Sequence, residues 1–152
     1  MSSYFLRSDE LELTVLTLGA TAASLKFHGK ETMLGYATEQ EYAEGGSYYS
    51  AVIGRCGNRI ANASFVLEGK EYLLAANKGR NQLHGGPHAF DKRQWTVEHA
   101  GRGTITLSLF SPDGDNGFPG NLRVRVTYSL NRSVLRLVFE AETDAPKVFA
   151  PT

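Results

Sequence analysis

The histidines of the segment NQLHGGPHAFDKRQW, residues 81–95, are the first candidates for chemistry in this chain. His84 and His88 are spaced like two metal ligands on one helical face, but the Gly-Gly-Pro between them disfavours a helix. No glutamate follows His84 as a zinc-protease motif requires, and the chain's one cysteine is Cys56, so we predict no metal site. His88 is predicted to be an ordinary loop histidine. The His84 ring is expected to project from a constrained turn, as a catalytic group, a substrate-binding group or a loop histidine.

A second polar segment, GRCGNRIANASF at residues 54–65, carries two arginines with an asparagine before the second. If this segment is a strand, Arg55, Gly57 and Arg59 share one face, and Asn58 points to the other. One interpretation is a solvent-facing strand with scattered charge, which is usual for isolated arginines. The other is a polar cluster on the concave face of a sheet, where the side chains donate hydrogen bonds to hydroxyl groups and the glycines permit close approach. The residues alone leave both interpretations open.

Composition excludes several classes of protein. The chain has 152 residues, a one-domain length that can bury a hydrophobic core, and we predict a single domain over residues 1–152. Sixteen basic residues balance sixteen acidic ones without a basic cluster, so we expect no nucleic-acid partner. No apolar run is long enough for a membrane helix, and the first ten residues lack the apolar core of a signal peptide. A single cysteine makes no internal disulfide, which favours a reducing, cytoplasmic location.

The elements that must position these segments are predicted to be β-strands. Apolar residues recur at every second position in four long segments, residues 10–18, 104–110, 122–130 and 134–141. This alternation is typical of half-buried antiparallel strands. In the first segment, Leu11, Leu13 and Val15 share one face, and Leu16 and Leu18 fall on the other. We therefore predict an all-β fold, an antiparallel β-sandwich.

Shorter signals predict the connections. Glu68-Gly69, in the middle of residues 65–74, predicts the turn of a further hairpin. Thr38, followed three residues later by Glu41, predicts one capped helical turn. Asp91 is expected to accept local backbone hydrogen bonds at its own turn.

Three segments taken together resemble one family. They are GRCGNRIANASFVLEGKEYLLAANKG, NQLHGGPHAFDKRQW and SPDGDNGFPGNLRVRVTYSL, and their order and spacing are similar to those of the aldose 1-epimerases, the galactose mutarotases. The resemblance implies a large antiparallel β-sandwich with a shallow carbohydrate cleft. It also implies interconversion of the α and β anomers of free aldoses, above all galactose and glucose, without cofactor or metal. By motif match, Asn58, Arg59 and His84 are expected to hydrogen-bond the monosaccharide, because a polyol needs several fixed donors.

The resemblance covers only the first half of the family's length. In the family, a glutamate takes the proton from the anomeric hydroxyl and a second histidine protonates the ring oxygen, so the ring opens and recloses as the other anomer. That histidine belongs to an Asn-His-Ser-Tyr-like motif that would follow Thr152, and the glutamate lies further on. We therefore expect an N-terminal fragment with no catalytic residue of its own and little activity alone. Half a sandwich leaves strand edges uncovered, so we also expect self-association or a complementing C-terminal half.

Two other functions stay open. One is a non-catalytic carbohydrate-binding module that keeps Asn58, Arg59 and His84, and the other is a structural or interaction domain in which these residues merely persist. Within the family, a sugar phosphate would demand a basic cluster in the cleft. Arg55 and Arg59 alone do not establish such a cluster, so we rank free aldohexoses first. The preferred aldose is left open.

Overall fold

The computed structural model describes residues 2–152, within which twelve β-strands and one short α-helix are formed. The strands are β1 (Ser3–Arg7), β2 (Leu11–Leu16), β3 (Ala22–Phe27), β4 (Lys30–Glu31), β5 (Arg59–Ile60), β6 (Ser64–Leu67), β7 (Lys70–Leu73), β8 (Gln82–Leu83), β9 (Thr96–Ala100), β10 (Thr104–Ser111), β11 (Leu122–Asn131) and β12 (Val134–Thr143). The helix α1 is Glu39–Glu44, and short 3-10 turns lie at Ala61–Ala63, Phe90–Lys92 and Asp115–Gly117.

Two four-stranded antiparallel sheets form the body of the fold. Their strand orders are β1-β2-β3-β4 and β12-β11-β10-β9, and two further two-stranded sheets pair β5 with β8 and β6 with β7. Side chains from both large sheets meet in one core, for example Leu13 and Val15 of β2 with Leu107 of β10 and Val126 of β11. Burying each such side chain contributes about 1.5–3 kcal/mol. The predicted all-β, antiparallel sandwich is confirmed.

The alternating apolar patterns produce both faces of β2 as predicted. Leu11, Leu13 and Val15 are buried on the core side. Leu16, with the nearby Leu18, packs on the opposite side in a smaller cluster that contains Tyr42 of α1. A strand that is apolar on both faces is therefore explained by a helix that covers the face turned away from the core.

The predicted helix cap and hairpin turn are also confirmed. The Thr38 side chain accepts a hydrogen bond from the Glu41 N–H at 3.3 Å, and the Glu41 carboxylate accepts one from the Thr38 N–H at 2.9 Å, a reciprocal capping box. Glu68 and Gly69 connect β6 to β7 with φ of +51° and +78°, the left-handed pair that a two-residue hairpin turn requires.

The edge strand β12 leaves apolar surface uncovered. Val134 and Leu137 are 58% and 43% exposed. Leu135, Leu137 and Phe139 of this strand, together with Met33, line a pocket of about 230 Å³, and we call these four residues the apolar edge surface. Such a surface beside an edge strand is a typical place for another polypeptide to bind.

No helix within residues 2–152 is both long enough and apolar enough to cross a membrane.

Candidate functional site

Two short strands bring the three predicted binding residues together. β5 and β8 pair antiparallel, with Arg59 opposite Leu83. Asn58 immediately precedes β5 and His84 immediately follows β8, so the two residues face each other at one end of this pair. The His84 N–H donates to the Asn58 carbonyl at 2.9 Å, and the Asn58 N–H donates back to Nδ1 of the His84 ring at 3.0 Å. Asn58, Arg59 and His84 therefore form one contiguous polar group, which we call the donor cluster.

The backbone of the donor cluster is constrained. Asn58 and His84 have φ of +60° and +55°, in the left-handed region that residues other than glycine seldom adopt, although asparagine and histidine are enriched there. The next residue, Gly85, has φ +91°, and a Cβ there would lie 1.8 Å from the carbonyl oxygen of Gly54. Only glycine permits this approach of two backbones. The His84 ring thus projects from a constrained turn, as the sequence predicted.

One hydrogen bond defines what the His84 ring can do. Because Nδ1 accepts the Asn58 N–H, the neutral imidazole must carry its proton on Nε2. Burial lowers the pKa of His84 below its ordinary value of 6.5; the negative charge of Asp91 opposes this shift and the positive charge of Arg59 adds to it. At neutral pH the ring is therefore uncharged and presents a single donor, Nε2–H.

The other two members of the donor cluster also present N–H groups. One guanidinium nitrogen of Arg59, Nη1, donates to Oδ1 of Asn58 at 3.2 Å. This bond orients the Asn58 amide and leaves its Nδ2 group and most of the five guanidinium N–H groups for a ligand. Both side chains are exposed. The arrangement is chemically suited to a ligand rich in hydroxyl oxygens.

Two further side chains influence His84, Tyr48 by ring contact and Asp91 through its charge. The Tyr48 ring packs against the His84 ring with centroids 4.5 Å apart and planes at 60°. Asp91 is only 7% exposed, and burial raises its pKa, while Lys92, the N–H of Asp91 itself and His84 act in the opposite direction. Its Oδ1 atom has no hydrogen-bond partner within residues 2–152. Sequence reasoning missed Tyr48, because its contact with His84 joins two segments that are far apart in the chain.

The structure corrects the expectation for Arg55. Arg55 and Arg59 do not share a strand face, because residues 54–58 form no regular strand and only Arg59 enters β5. Arg55 is 2% exposed, whereas Arg59 is exposed. Arg55 is therefore not a ligand-facing group, and the polar cluster that the sequence suggested contains one arginine.

Arg55 instead fixes the loop of residues 111–120. Its Nε donates to Oγ of Ser111 at 2.8 Å, and Nη2 donates to the Ser111 carbonyl at 2.9 Å. Further bonds reach the carbonyls of Pro112, Pro119 and Gly120 at 2.8–2.9 Å. A guanidinium with several donors in one plane is suited to holding several carbonyl groups at once.

The loop of residues 111–120 in turn supports the histidine segment through Asn116. The Asn116 side chain accepts from the His88 N–H at 3.3 Å and donates to the His88 carbonyl at 3.1 Å. Its main-chain carbonyl accepts from the buried Gln82 side chain at 3.3 Å. His88 contributes its backbone to this support. No signal in the sequence links Arg55 to Asn116, because the connection passes through a separate loop.

Within residues 2–152, no group of three or more His, Cys, Asp or Glu side chains is placed to hold a metal ion.

Comparison with known proteins gives consistent matches. The family model described as Aldose 1-epimerase matches residues 2–152. The galactose mutarotase of Sus scrofa is 40% identical over 147 residues, which are 93% of this chain and 43% of that protein. The aldose 1-epimerase of Escherichia coli K12 is 36% identical over 140 residues, 88% of this chain and 40% of that protein.

Solved structures agree with the sequence matches. An aldose epimerase homologue from C. elegans superposes with a TM-score of 0.90 at 31% identity, covering 99% of this chain and 49% of that one. Galactose 1-epimerase from Lactobacillus acidophilus NCFM superposes with a TM-score of 0.89 at 27% identity, covering 98% and 46%. The chain thus spans somewhat less than half the length of the relatives it matches. Because the family model covers residues 2–152, the chain belongs to the aldose 1-epimerase family.

Proposed function

We propose that this chain supplies the sugar-binding part of an aldose 1-epimerase site for free aldohexoses such as galactose or glucose. The observation that carries the proposal is the hydrogen bond from the Asn58 N–H to Nδ1 of His84, which leaves Nε2–H free beside Arg59. Three side chains then offer fixed N–H donors on one exposed surface. Sugar hydroxyl and ring oxygens are acceptors for such donors, and a planar guanidinium engages two of them at once.

The donor cluster contains no group that could remove a proton from a sugar. Interconversion of anomers requires a base for the anomeric hydroxyl and an acid for the ring oxygen. The lone pair of His84 Nδ1 is already occupied, and Arg59 and the Asn58 amide are not bases at neutral pH. We infer that the chain binds and orients the sugar, whereas the catalytic acid and base come from the part of the family's length that this chain does not match.

Residues 150–152 lie along the segment that leads into the donor cluster. The Ala150 N–H donates to the Arg55 carbonyl at 3.0 Å, and the Gly57 N–H donates to the Ala150 carbonyl at 2.8 Å. The Ile53 N–H donates to the Thr152 carbonyl at 2.7 Å, and the Thr152 N–H donates to the Ile53 carbonyl at 3.2 Å. A polypeptide joined to Thr152 would therefore start beside the segment that leads into Asn58.

The apolar edge surface supports the same inference about assembly. Residues on it are apolar and partly exposed at the edge of a sheet, so a second polypeptide gains by covering them. We propose that a C-terminal half of the family fold binds here, and that the chain self-associates when this half is missing. Sedimentation of the chain alone and with the separately produced C-terminal part of the Sus scrofa galactose mutarotase distinguishes dimers of this chain from a one-to-one complex.

Polarimetry of freshly dissolved α-D-galactose and α-D-glucose tests the catalytic proposal. The chain alone is expected to accelerate anomer exchange little, because each missing acid or base normally contributes about 10²–10⁴-fold. Adding the complementing C-terminal part is expected to restore acceleration, and His84→Ala is expected to abolish it. Acceleration by the chain alone that disappears in His84→Ala would contradict our assignment of the acid and base to the missing half.

A non-catalytic carbohydrate-binding role is the second candidate, and the same donor-only chemistry favours it. Titration of the ¹⁵N-labelled chain with galactose, followed by the amide signals of Asn58 and His84, measures binding directly. Saturable binding without acceleration, even with the complementing part present, would favour this role. Absence of binding in the wild type, unchanged in Arg59→Ala, would favour a structural role. Preference for galactose 6-phosphate over galactose would favour the sugar-phosphate alternative.

A further inference from the structure

The His84 ring is held by two contacts of different kinds. The hydrogen bond from the Asn58 N–H fixes one edge of the imidazole, since it acts in the ring plane at Nδ1. That bond alone permits the ring to rotate about the line from the donor to Nδ1. The Tyr48 ring packs against the imidazole, with ring centroids 4.5 Å apart and planes tilted by 60°, and this packing opposes the rotation.

Tyr48 is itself anchored to the first large sheet. Its carbonyl accepts a hydrogen bond from the Ala51 N–H at 3.2 Å. The residues that follow bond to the first sheet: the Ser50 carbonyl accepts from the Ala22 N–H of β3 at 3.1 Å, and the Val52 N–H donates to the Gly19 carbonyl at 2.8 Å. The next residue, Tyr49, turns the other way and packs on Tyr36 at 5.0 Å. The backbone of Tyr48 is therefore held in place by the first sheet, and its side chain contacts His84 whereas that of Tyr49 contacts Tyr36.

The Tyr48 hydroxyl has no hydrogen-bond partner within the described residues 2–152, so the ring rather than the hydroxyl makes the contact with His84. Tyr48 is 37% exposed, so part of its side chain is open to solvent. Burial, and then the charge of Asp91, raises the pKa of Tyr48 above its ordinary value of 10.0, so the ring stays neutral at physiological pH.

We propose that Tyr48 is a positioning residue for His84, whose ring plane it fixes so that Nε2–H faces the bound sugar. The proposal rests on the proposed sugar-binding function but concerns a residue outside the donor cluster. Its physical content is that a donor held in one direction binds an acceptor better than a rotating one, because less rotational freedom is lost on binding.

The chain contains a matched reference for this arrangement. Phe27 and His28 form a second aromatic–histidine pair, with centroids 4.3 Å apart and planes at 55°. Neither ring nitrogen of His28 is hydrogen-bonded within residues 2–152, in contrast to Nδ1 of His84. His28 therefore reports what an aromatic contact does without a second constraint, and Phe27→Ala removes an equivalent exposed ring far from the donor cluster.

The test uses ¹⁵N spectra of the histidine rings in the sugar-free protein, with variants Tyr48→Ala, Tyr48→Phe and Phe27→Ala. Wild type is expected to show His84 as one tautomer, with the proton on Nε2 and slow exchange with water. Tyr48→Phe and Phe27→Ala are expected to retain the whole of that His84 signature. Tyr48→Ala is expected to keep the Nε2 tautomer, which the Asn58 N–H dictates, but to lose the sharp Nε2–H signal through exchange broadening. Should Tyr48→Ala fail to fold, Tyr48→Leu, which keeps bulk but not the flat ring, is expected to give the same loss.

Sugar affinity gives the second readout. The galactose dissociation constant is expected to rise about two- to tenfold in Tyr48→Ala, the range that one aromatic contact supports, and to stay unchanged in Tyr48→Phe and Phe27→Ala. An unchanged His84 ring spectrum in Tyr48→Ala would overturn the proposal, and so would an equal loss in Tyr48→Phe. If wild type binds no sugar, the proposed function fails, but the ring spectra still decide whether Tyr48 positions His84.

Discussion

Replacing Arg55 by methionine is expected to lower the free energy of unfolding by about 3 kcal/mol. Methionine keeps the unbranched stem but removes every guanidinium donor. Two of the lost bonds have buried acceptors on Ser111, its Oγ and its carbonyl, at 2.8 and 2.9 Å. The other acceptors, on Pro112, Pro119 and Gly120, are partly buried and can bond to water instead.

The magnitude follows from these two buried bonds. A hydrogen bond to a charged group contributes about 1.5–3 kcal/mol, which gives about 3–6 kcal/mol for the pair. Burial lowers the pKa of Arg55, which means that desolvation of its charge opposes folding. Removing the charge relieves that cost, so the lower end of the range is expected. For a chain of this length, such a loss corresponds to a fall in Tm of about 6–12 °C.

Urea denaturation followed by tryptophan fluorescence is the appropriate assay, because Trp95 is the chain's only tryptophan and is 3% exposed. Arg123→Met is the matched control: Arg123 is exposed, lies over the Phe110 ring at 5.9 Å, and is expected to change stability by less than about 1 kcal/mol. If Arg55→Met and Arg123→Met unfold at the same urea concentration, the buried guanidinium does not hold the loop and our reasoning is wrong.

Three further predictions concern the histidine segment and the ion pair between Asp144 and Lys147. Gly85→Ala is expected to lower the free energy of unfolding by at least about 2 kcal/mol more than Gly29→Ala in urea denaturation. Both glycines have positive φ, but only at position 85 would the added Cβ collide with another backbone, at the carbonyl oxygen of Gly54. Asp91→Asn is expected to lower the pKa of His84 further in an NMR titration, because the charge of Asp91 now raises it. Hydrogen bonds from Lys147 and then from Asn121 lower the pKa of Asp144 from 3.8 to about 2, so the stabilisation by this carboxylate is present above pH 3.8 and lost as the pH falls toward 2. The difference in Tm between wild type and Asp144→Asn should therefore narrow as the pH is lowered from 5 to 2.

The large sheets could be predicted from the sequence because their signal is local and repeated. In β10, Ile105, Leu107 and Leu109 alternate with polar residues, and the structure buries all three. A one-residue shift in register would turn these side chains to solvent, so the pattern constrains the pairing as well as the strand. The capping box at Thr38 is equally local, since both of its bonds lie within four residues.

The arginines show where prediction from the sequence ends. Arg55 and Arg59 are four residues apart with small or polar neighbours. Nothing in that segment distinguishes a buried arginine that holds a loop from an exposed arginine that could bind a ligand. The difference arises because Asn58 adopts φ +60°, which breaks the strand between them, and because the acceptors of Arg55 begin at Ser111. Tyr48 was missed for the same reason, because its contact with His84 joins two separate loops.

Toward a bound sugar, the His84 ring of the donor cluster acts only as a hydrogen-bond donor. A ring whose Nδ1 is occupied and whose Nε2 carries the proton can donate to a sugar oxygen but cannot accept a proton from it. In our proposal, the backbone bond from Asn58 thus separates sugar orientation, which this chain supplies, from proton transfer, which we assign to groups outside the donor cluster. Binding in NMR and acceleration in polarimetry measure these two capacities independently. A variant such as Tyr48→Ala, which is expected to loosen His84 without removing it, should weaken binding by the chain alone and slow the completed site in parallel.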